Sequence, residues 1–365
     1  MNNYGYNLDI ELFERFNLKV TDLFPLRNVY ILYTDKGEKI LKKGDWKISE
    51  FNFINSALEY ISKSFNRVVR FEKNTKGEFY TNFNGEIYVI MDNLKGLMCE
   101  FSNPLHLKSA SKGLSQLHNA GVGFETKVRN RNNVGTLDVS LKRYINELKF
   151  IHSLINKFDN LTEFDSKVTK EINGYIELGK KSLEGLKKTA YLDLCREKNK
   201  ITICHHDLAY HNILINEEEA YFVDFDYSIV DLRVHDLCNF INKVEKNFDY
   251  NIDKTKLILE EYSKESDLDD RELEVLYYLL MFPYDFYSIC RDYYTRRKSW
   301  NEQLFNSKLE KKLSLKDEKN QFLEEFKKIC NIKWKKLKDQ YVSWRDICWF
   351  LLVHSCRWSC RTKKL

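Results

Sequence analysis

Residues 203–226 constrain the fold of this chain more than any other stretch, because two short apolar runs there enclose an acidic turn. The stretch is ICHHDLAYHNILINEEEAYFVDFD, with residues 213–216 and 220–223 on either side of residues 217–219. Short β-prone runs around a turn are typical of a hairpin. We therefore predict an antiparallel hairpin centred on Glu218, in a half of the chain whose pattern is otherwise helical.

The predicted hairpin places two oxygen-bearing side chains next to each other. With Glu218 at the tip, Ile213 pairs with Val223. Asn212 and Asp224 then lie opposite each other at the open end, roughly 5 Å apart at Cα. An amide oxygen and a carboxylate in this arrangement can share one cation, and Mg²⁺ prefers such oxygen ligands beside substrate phosphates. We therefore predict Asn212 and Asp224 as metal ligands.

A third carboxylate lies on the loop that leads into the hairpin. Asp207 precedes Asn212 by five residues, in the pattern His205-x-Asp207-x4-Asn212. A base, an amide and a metal carboxylate, here followed by the Asp-Phe-Asp triplet at 224–226, are the parts that a phosphoryl-transfer site needs. We predict Asp207 and Asn212 as catalytic residues. His205 is favoured as a hydrogen-bonding support of the loop over a catalyst.

Each residue of this pattern also has a purely structural explanation. Asp207 alone is well explained as a turn residue, and Asn212 alone as a strand cap. Asp224 is harder to explain in that way, because a carboxylate at the end of an apolar strand needs a partner. Asp226 is explained equally well by metal contact and by capping of the next turn. The combined spacing, and no single residue, carries the prediction.

The first hundred residues match the nucleotide-binding part of such a site. Short β-prone runs surround one predicted helix over about residues 48–65. Lys42 ends a strand and suits the lysine that holds the α- and β-phosphates of ATP. Glu59 is preferred over Glu50 as the carboxylate partner of Lys42. No G-x-G-x-x-G loop precedes Lys42, since the corresponding turn at residues 25–28 reads PLRN, and this disfavours a protein kinase.

The last predicted strand of this part leads into a hinge. Its backbone at Asp92 and Leu94 is predicted to hydrogen-bond adenine, which adds both residues to the cofactor-binding set. Helical patterns dominate after residue 93. We predict an α+β, protein-kinase-like two-lobed fold: a nucleotide-binding lobe at residues 1–93 with a small antiparallel sheet and one helix, a mainly helical lobe at 94–330 carrying the catalytic loop, and a basic tail rich in Trp and Cys at 331–365.

Charge and cysteine content exclude several classes of protein. The net charge is +5, but residues 331–365 hold nine Lys/Arg and two Asp, which leaves the rest of the chain at −2. No nucleic-acid partner is therefore expected for the body. The nine cysteines contain no CxxC pair, which argues against a disulfide framework. The apolar run at residues 348–353 is too short to span a membrane, and no signal peptide is expected at the N-terminus.

About residues 10–330 resemble the CotS family of bacterial spore coat proteins, a kinase-like branch of the aminoglycoside and choline phosphotransferase superfamily. The stretches that carry the resemblance are PLRNVYILYTDKGEKILKK, HHDLAYHNILI, YFVDFDYSIVDLRVHDL and FPYDFYSICRDYY. The resemblance implies ATP and Mg²⁺ as cofactors, synthesis in the cytoplasm of the mother cell and deposition in the spore coat. It also implies that Asp236 supports the catalytic loop together with His205. The last stretch is best explained as ordinary helix packing.

Two functions remain open on this basis. The first is an ATP-dependent phosphotransferase that acts on a small hydroxylated molecule or a spore coat protein. The second is a structural coat protein that keeps the fold without significant turnover. Minor alternatives are a phosphohydrolase with a His206-Asp207 pair, zinc bound by His206 and His211 with Asp207, and a glycosyltransferase that uses Asp224-x-Asp226.

Overall fold

The computed structural model describes residues 8–27 and 29–329. The predicted tail at 331–365 lies outside them. The strands in the described residues are β1 (Val20–Leu26), β2 (Val29–Thr34), β3 (Gly37–Gly44), β4 (Thr81–Phe83), β5 (Glu86–Asp92), β6 (Leu97–Met98), β7 (Ile201–Cys204), β8 (Ile213–Asn216), β9 (Glu219–Phe222) and β10 (Ile229–Leu232).

Helices occupy most of the remaining described chain. They are α1 (Ile10–Glu14), α2 (Ile48–Ile61), α3 (Pro104–Gly121), α4 (Leu137–Ile155), α5 (Glu163–Lys188), α6 (Tyr191–Leu194), α7 (Arg233–Glu245), α8 (Ile252–Ser263), α9 (Asp270–Met281), α10 (Tyr284–Tyr294) and α11 (Glu302–Ser314). Residues 316–329 are also helical. None of the helices in the described residues is both long and apolar enough to cross a bilayer.

The first five strands form one antiparallel sheet in the order β1-β2-β3-β5-β4. The short helix α1 and the segment after it contribute Leu12, Phe13 and Phe16 to a buried cluster, where they pack with Leu32 and Leu41 of the sheet. Burial of these side chains supplies the main driving force for this part of the fold. The pattern predicted this sheet and α2, but it did not predict α1 or β1.

The described residues divide into two compact units. One comprises the chain up to Arg143 together with Ala190–Asp267 and contains both the sheet and the hairpin region. The other comprises Tyr144–Thr189 and the chain from Leu268 onward. The division into lobes at residue 93 stays a prediction.

The second unit is a helical assembly held by aromatic contacts. Phe286 of α10 stacks on Tyr175 of α5 with ring centroids 3.9 Å apart, and Tyr293 stacks on Phe164 at the same distance. Tyr287 also donates a hydrogen bond from its hydroxyl to Glu147 at 2.6 Å. Such stacked pairs stabilise a fold beyond the area that they bury. The aromatic stretch around α10 therefore serves packing within this unit.

Gly121 ends α3 but does not adopt the left-handed cap that its position at the helix end suggests. A Cβ there would lie 2.5 Å from the Thr202 hydroxyl oxygen and 2.9 Å from the Ile203 amide nitrogen. Thr202 donates a hydrogen bond from its hydroxyl to the His118 carbonyl at 2.6 Å. The absence of a side chain at Gly121 thus allows β7 to pack directly on the end of α3.

Glu245 at the end of α7 makes stability depend on pH. Its side chain is fully buried; Oε1 accepts a hydrogen bond from the Thr255 hydroxyl, and Oε2 has no partner among the described residues. Burial raises the pKa of Glu245 to about 7. Because the unfolded chain ionises near pH 4.5, folding loses stability as pH rises from there to about 7, by at most roughly 3 kcal/mol. The penalty is constant above pH 7.

Glu245→Gln removes this penalty. We expect the variant to exceed wild type in free energy of unfolding by about 1–3 kcal/mol at pH 8, with the difference shrinking toward pH 5. Denaturant titrations at the two pH values measure it. Glu260→Gln, at an exposed position of α8, serves as the control. A Glu245→Gln difference that does not change with pH would contradict this explanation.

Candidate active site

The predicted hairpin exists, but its register differs by one residue from the prediction. Strands β8 and β9 pair Ile213 with Phe222, and not with Val223. The reason is a two-residue loop: Glu217 and Glu218 both have positive φ, 48° and 66°, as the tightest hairpin turns require. A three-residue turn centred on Glu218 is therefore wrong.

The corrected register places Asp224 beyond the paired strands. The Val223 amide donates to the Asn212 carbonyl at 3.0 Å, so Asn212 is opposite Val223, and Asp224 follows as the next residue. Asp224 has a φ of 65° and a ψ of 68°, in the left-handed region. This conformation is uncommon for residues with a side chain, although Asp and Asn tolerate it better than most. The chain turns sharply at the predicted metal ligand.

Asn212 and Asp207 are in direct contact. The Asn212 side-chain nitrogen donates to the Asp207 carbonyl at 2.9 Å and to Asp207 Oδ2 at 3.1 Å. Asn212 is almost fully buried. Because its nitrogen is held by Asp207, its amide oxygen is oriented away from that contact and accepts no hydrogen bond within the described residues. This oxygen is suited to a cation, as the sequence pattern predicts.

His205 connects the loop of Asp207 to the strand that leads to Asp224. Its Nε2 donates to the Val223 carbonyl at 2.9 Å, and its Nδ1 accepts from the Asp207 amide at 3.3 Å. The ring is completely buried. These two bonds leave the imidazole no free nitrogen for proton transfer. These contacts suit the supporting role predicted for His205, and that role stays a prediction.

Lys42 reaches the Asp-Phe-Asp triplet. Its Nζ lies 2.7 Å from Asp224 Oδ1 and 2.8 Å from Asp226 Oδ2. Burial of Lys42 disfavours its charged form, but the two carboxylates outweigh this effect and raise the pKa of the lysine. Burial likewise works against ionisation of Asp224, yet Lys42 lowers the pKa of that carboxyl. The ion pair is therefore charged on both sides at neutral pH.

The ion pair predicted between Lys42 and Glu59 is not formed. Glu59 is exposed and accepts a hydrogen bond from Asn55 at 3.3 Å, and no carboxylate of α2 pairs with Lys42 among the described residues. The physical reason is helical geometry: Glu59 follows the buried Leu58, so it points about 100° away from the packed face. Glu50, the other candidate, accepts a hydrogen bond from Asn130 instead. Asp226 is the second carboxylate on the lysine.

The predicted hinge follows β5. The Asp92 carboxylate pairs with Lys39 at 2.6 Å, so its side chain is engaged within the sheet. Leu94 is half-buried and makes no backbone–backbone hydrogen bond within the described chain. The backbone of Leu94 therefore suits the predicted adenine contact, whereas Asp92 is the last residue of β5 and pairs with Lys39 of β3. Both adenine contacts stay predictions.

Asp236 anchors the loop from the opposite side. Its carboxylate accepts the His205 amide at 2.6 Å and the His206 amide at 2.8 Å, and it lies 3.1 Å from His118 Nε2. Burial alone raises the pKa of Asp236, but the bond to His118 and the nearby histidines outweigh burial and lower the pKa to about 2. Asp236 thus has the position expected of the residue that supports the catalytic loop.

The helix that carries Asp236 contributes two further residues that the sequence pattern missed. Asn239 accepts the Leu208 amide at 3.2 Å, and Lys243 Nζ lies 2.7 Å from Asp207 Oδ1. Positions 236, 239 and 243 are spaced by three and four residues, so they share one face of α7. Polar residues at this spacing after the Asp236-Leu237 pair are the signal that could have identified them.

Arg131 holds the other side of the triplet. Its guanidinium donates to the Asp226 carbonyl at 2.6 Å and to the Ser228 carbonyl at 3.0 Å, and it lies over the Phe53 ring. Arg131 is almost fully buried. No spacing in the sequence indicated it. Together with Lys42, it holds the residues around Asp226 in place.

One buried group in the described residues has the composition of a metal site but not its chemistry. His118, Cys204 and Asp236 offer ligand atoms within 4.8 Å of one another. The Asp236 carboxylate already accepts two backbone amides, and the Cys204 thiol donates to the Leu232 carbonyl at 3.6 Å. Burial raises the pKa of Cys204, which keeps the thiol protonated. This group therefore serves the fold.

Solved structures of phosphotransferases share this architecture. An aminoglycoside phosphotransferase from Alicyclobacillus acidocaldarius is 15% identical, with 89% of this chain and 96% of that chain covered and a TM-score of 0.77. A spectinomycin phosphotransferase in complex with ADP and spectinomycin is 16% identical, with 86% of this chain and 94% of that chain covered and a TM-score of 0.60. An amicoumacin kinase in complex with AMP-PNP and Ca²⁺ is 13% identical, with 88% of this chain and 90% of that chain covered and a TM-score of 0.55. These similarities confirm the predicted kinase-like α+β fold.

The sequence itself is similar to that of curated spore coat proteins. Spore coat protein S of Bacillus subtilis is 22% identical over 319 residues, which are 86% of this chain and 89% of the relative. The family model described as "Spore coat putative kinase YutH" matches residues 9–326. The predicted relation to kinase-like spore coat proteins is confirmed: the chain belongs to the spore coat YutH kinase-like family.

Proposed function

We propose that this protein binds ATP with Mg²⁺ at the spore coat and transfers the γ-phosphoryl group to a hydroxyl group of a small molecule or a coat component. The observation that carries the proposal is the convergence of four predicted side chains through the contacts described above: Lys42, Asp207, Asn212 and Asp224. The spore coat follows from the family and from the curated relative.

The donor atoms of the site fit a hard divalent cation. The Asn212 amide oxygen is oriented by the bond from its nitrogen to Asp207, and the Asp224 carboxylate lies two residues beyond the end of the neighbouring strand β9. Both are oxygen donors of the kind that Mg²⁺ takes alongside phosphates. When bound, Mg²⁺ neutralises the charge that develops on the transferred phosphoryl group.

Lys42 and the hinge position the nucleotide. Lys42 is charged and held at 2.7 Å from Asp224, so it supplies a fixed positive charge next to the predicted metal ligand. This charge suits the α- and β-phosphates of ATP. The backbone around Leu94 suits the adenine edge. Nucleotide bound by the spectinomycin and amicoumacin enzymes supports this part of the proposal.

Asp207 is the residue we assign to proton transfer. The acceptor hydroxyl oxygen attacks the γ-phosphorus, its proton passes to the Asp207 carboxylate, and the bond to the oxygen between the β- and γ-phosphorus breaks to release ADP. Asn212 and His205 hold the loop of Asp207 for this step.

One observation favours the second candidate, a coat component without significant turnover. Asp207 Oδ1 pairs with Lys243 and Oδ2 accepts from Asn212, so both carboxylate oxygens are engaged. A carboxylate with both oxygens engaged in this way has no free oxygen to accept the proton of the acceptor hydroxyl. Lys243 must therefore share or release Asp207 during transfer, or the site binds nucleotide without turning over.

Acceptor-stimulated ADP release separates the two candidates. Full-length protein with ATP and Mg²⁺ is incubated with a panel of small alcohols, amino alcohols and fractions of spore extract. We expect at least one acceptor to raise ADP release, and Asp207→Asn to reduce that release about 10²- to 10⁴-fold while nucleotide still binds. Glu218→Gln, at the exposed tip of the same hairpin, is the control. Nucleotide binding without stimulated release by any acceptor would favour the coat component.

A further inference from the structure

Two histidines beside the catalytic loop face each other through their Nε2 atoms. His206 precedes Asp207, and His235 lies in the first turn of α7. Their Nε2 atoms are 3.4 Å apart, with ring centroids at 4.8 Å and ring planes at 74°. Neither ring takes part in the nucleotide site described above.

The distance between these nitrogens fits a shared metal ion better than a hydrogen bond. N–H hydrogen bonds have donor–acceptor distances of about 2.7–3.2 Å, which is shorter than the distance observed here. A tetrahedral ion at about 2.0–2.1 Å from each of two nitrogens holds those nitrogens about 3.3–3.4 Å apart. The pair is therefore spaced as two ligands of one tetrahedral ion are.

His235 is oriented as a metal ligand. Its Nδ1 donates to Asp231 Oδ2 at 2.8 Å, and that carboxylate is completely buried. In the neutral ring, a bond from Nδ1 to a carboxylate fixes the tautomer with the lone pair on Nε2 and increases the basicity of Nε2. Burial disfavours the charged ring, but Asp231 outweighs burial and raises the pKa of His235, so a metal ion at Nε2 takes the place of a proton. The same arrangement orients ligating histidines in metalloproteins.

His206 is held in place at an energetic cost. Its φ is 64°, a left-handed conformation that costs about 1–2 kcal/mol for a residue with a side chain. Asp236 fixes this conformation by accepting the His206 amide at 2.8 Å. Glycine would adopt this backbone without strain, so the imidazole at this position calls for a function.

We propose that His206 Nε2 and His235 Nε2 bind a divalent transition-metal ion of the zinc type. No third His, Cys, Asp or Glu among the described residues completes the site. The remaining positions are therefore open to water or to an oxygen or nitrogen donor of a bound molecule. Two imidazole nitrogens select Zn²⁺ over Mg²⁺, whereas the oxygens of Asn212 and Asp224 have the opposite preference. The two sites are chemically distinct.

Calorimetric titration of the full chain with Zn²⁺ in excess Mg²⁺ tests the proposal. His206→Gly is the decisive variant, because it removes the imidazole and relieves the left-handed strain, so the fold is kept. We expect wild type to bind one Zn²⁺. The affinity for Zn²⁺ should fall at least tenfold in His206→Gly and in His235→Gln, and about 10- to 100-fold in Asp231→Asn. His152→Ala on α4 controls for histidines elsewhere.

Thermal unfolding of the same variants provides a second reading. Zn²⁺ should raise the melting temperature of wild type and of His152→Ala, but not that of His206→Gly, whose melting temperature without Zn²⁺ should equal or exceed that of wild type. No Zn²⁺ binding by wild type, or equal binding by wild type and His206→Gly, overturns the proposal. Because Zn²⁺ is used without nucleotide, neither outcome depends on the proposed phosphotransferase activity.

Discussion

Replacing Asp224 with asparagine is expected to abolish the stabilisation that ATP and Mg²⁺ together give this protein. Asparagine keeps the shape and tolerates the left-handed backbone of Asp224, so the variant should fold. It loses the charge that pairs with Lys42 and that we propose as a metal ligand. At a hundredfold excess over its dissociation constant, a ligand stabilises the folded state by about 2.7 kcal/mol. We expect this gain in wild type and almost none in Asp224→Asn.

Thermal-shift titration with ATP, with and without Mg²⁺, measures the difference. Glu218→Gln removes an exposed carboxylate of the same hairpin and should behave as wild type does. Asp226→Asn leaves the predicted ligand in place and should keep part of the metal-dependent shift. Equal shifts in wild type and Asp224→Asn would remove Asp224 from the metal site.

Asp236→Ala is expected to cause the largest loss of stability of any substitution around the site. Two buried backbone amides, those of His205 and His206, lose their acceptor at once, and His118 loses its partner. Breaking such a buried charged network costs about 3–5 kcal/mol. Urea denaturation of wild type and variant at pH 7 measures this loss. Asp253→Ala, at an exposed position of α8, is the matched control.

The same carboxylate makes a definite contribution to acid stability. The folded pKa of Asp236 is about 2, below the value of 3.8 expected of an unperturbed Asp. The ionised side chain thus stabilises the fold above about pH 4, and this contribution, about 2 kcal/mol, disappears as pH falls toward 2. A free energy of unfolding that is equal for wild type and Asp236→Ala at pH 7 would contradict the supporting role of Asp236.

The local pattern around residues 203–226 predicted the hairpin and the position of Asp207 on the loop that leads into it, because these depend on short spacings along the chain. The predicted hairpin register was wrong, because the backbone conformation of the turn determines the register. The left-handed Glu217 and Glu218 shorten the loop and shift the pairing by one residue. The alternation of apolar residues agrees with the observed register, because Ile213 and Ile215 then share one buried face with Ala220 and Phe222. A turn centred on Glu218 would place the two pairs on opposite faces.

Long-range partners were the second source of error. Lys42 pairs with Asp226, which is far away in sequence, and not with the helix carboxylate Glu59. Such a pair depends on how the sheet and the triplet meet, and no spacing encodes that. Lys243 and Arg131 were missed for the same reason, although Lys243 shares a helix face with Asp236. Local spacing predicts which groups a loop carries, whereas tertiary packing decides what they contact.

The most direct test of the proposed site is a crystal structure of the full chain with AMP-PNP and Mn²⁺, in which anomalous scattering locates the metal. We expect a peak within about 2.5 Å of both the Asn212 amide oxygen and the Asp224 carboxylate, with the phosphates bound to the same ion. Nucleotide bound elsewhere, or a metal that contacts neither side chain, would contradict the assignment of this site.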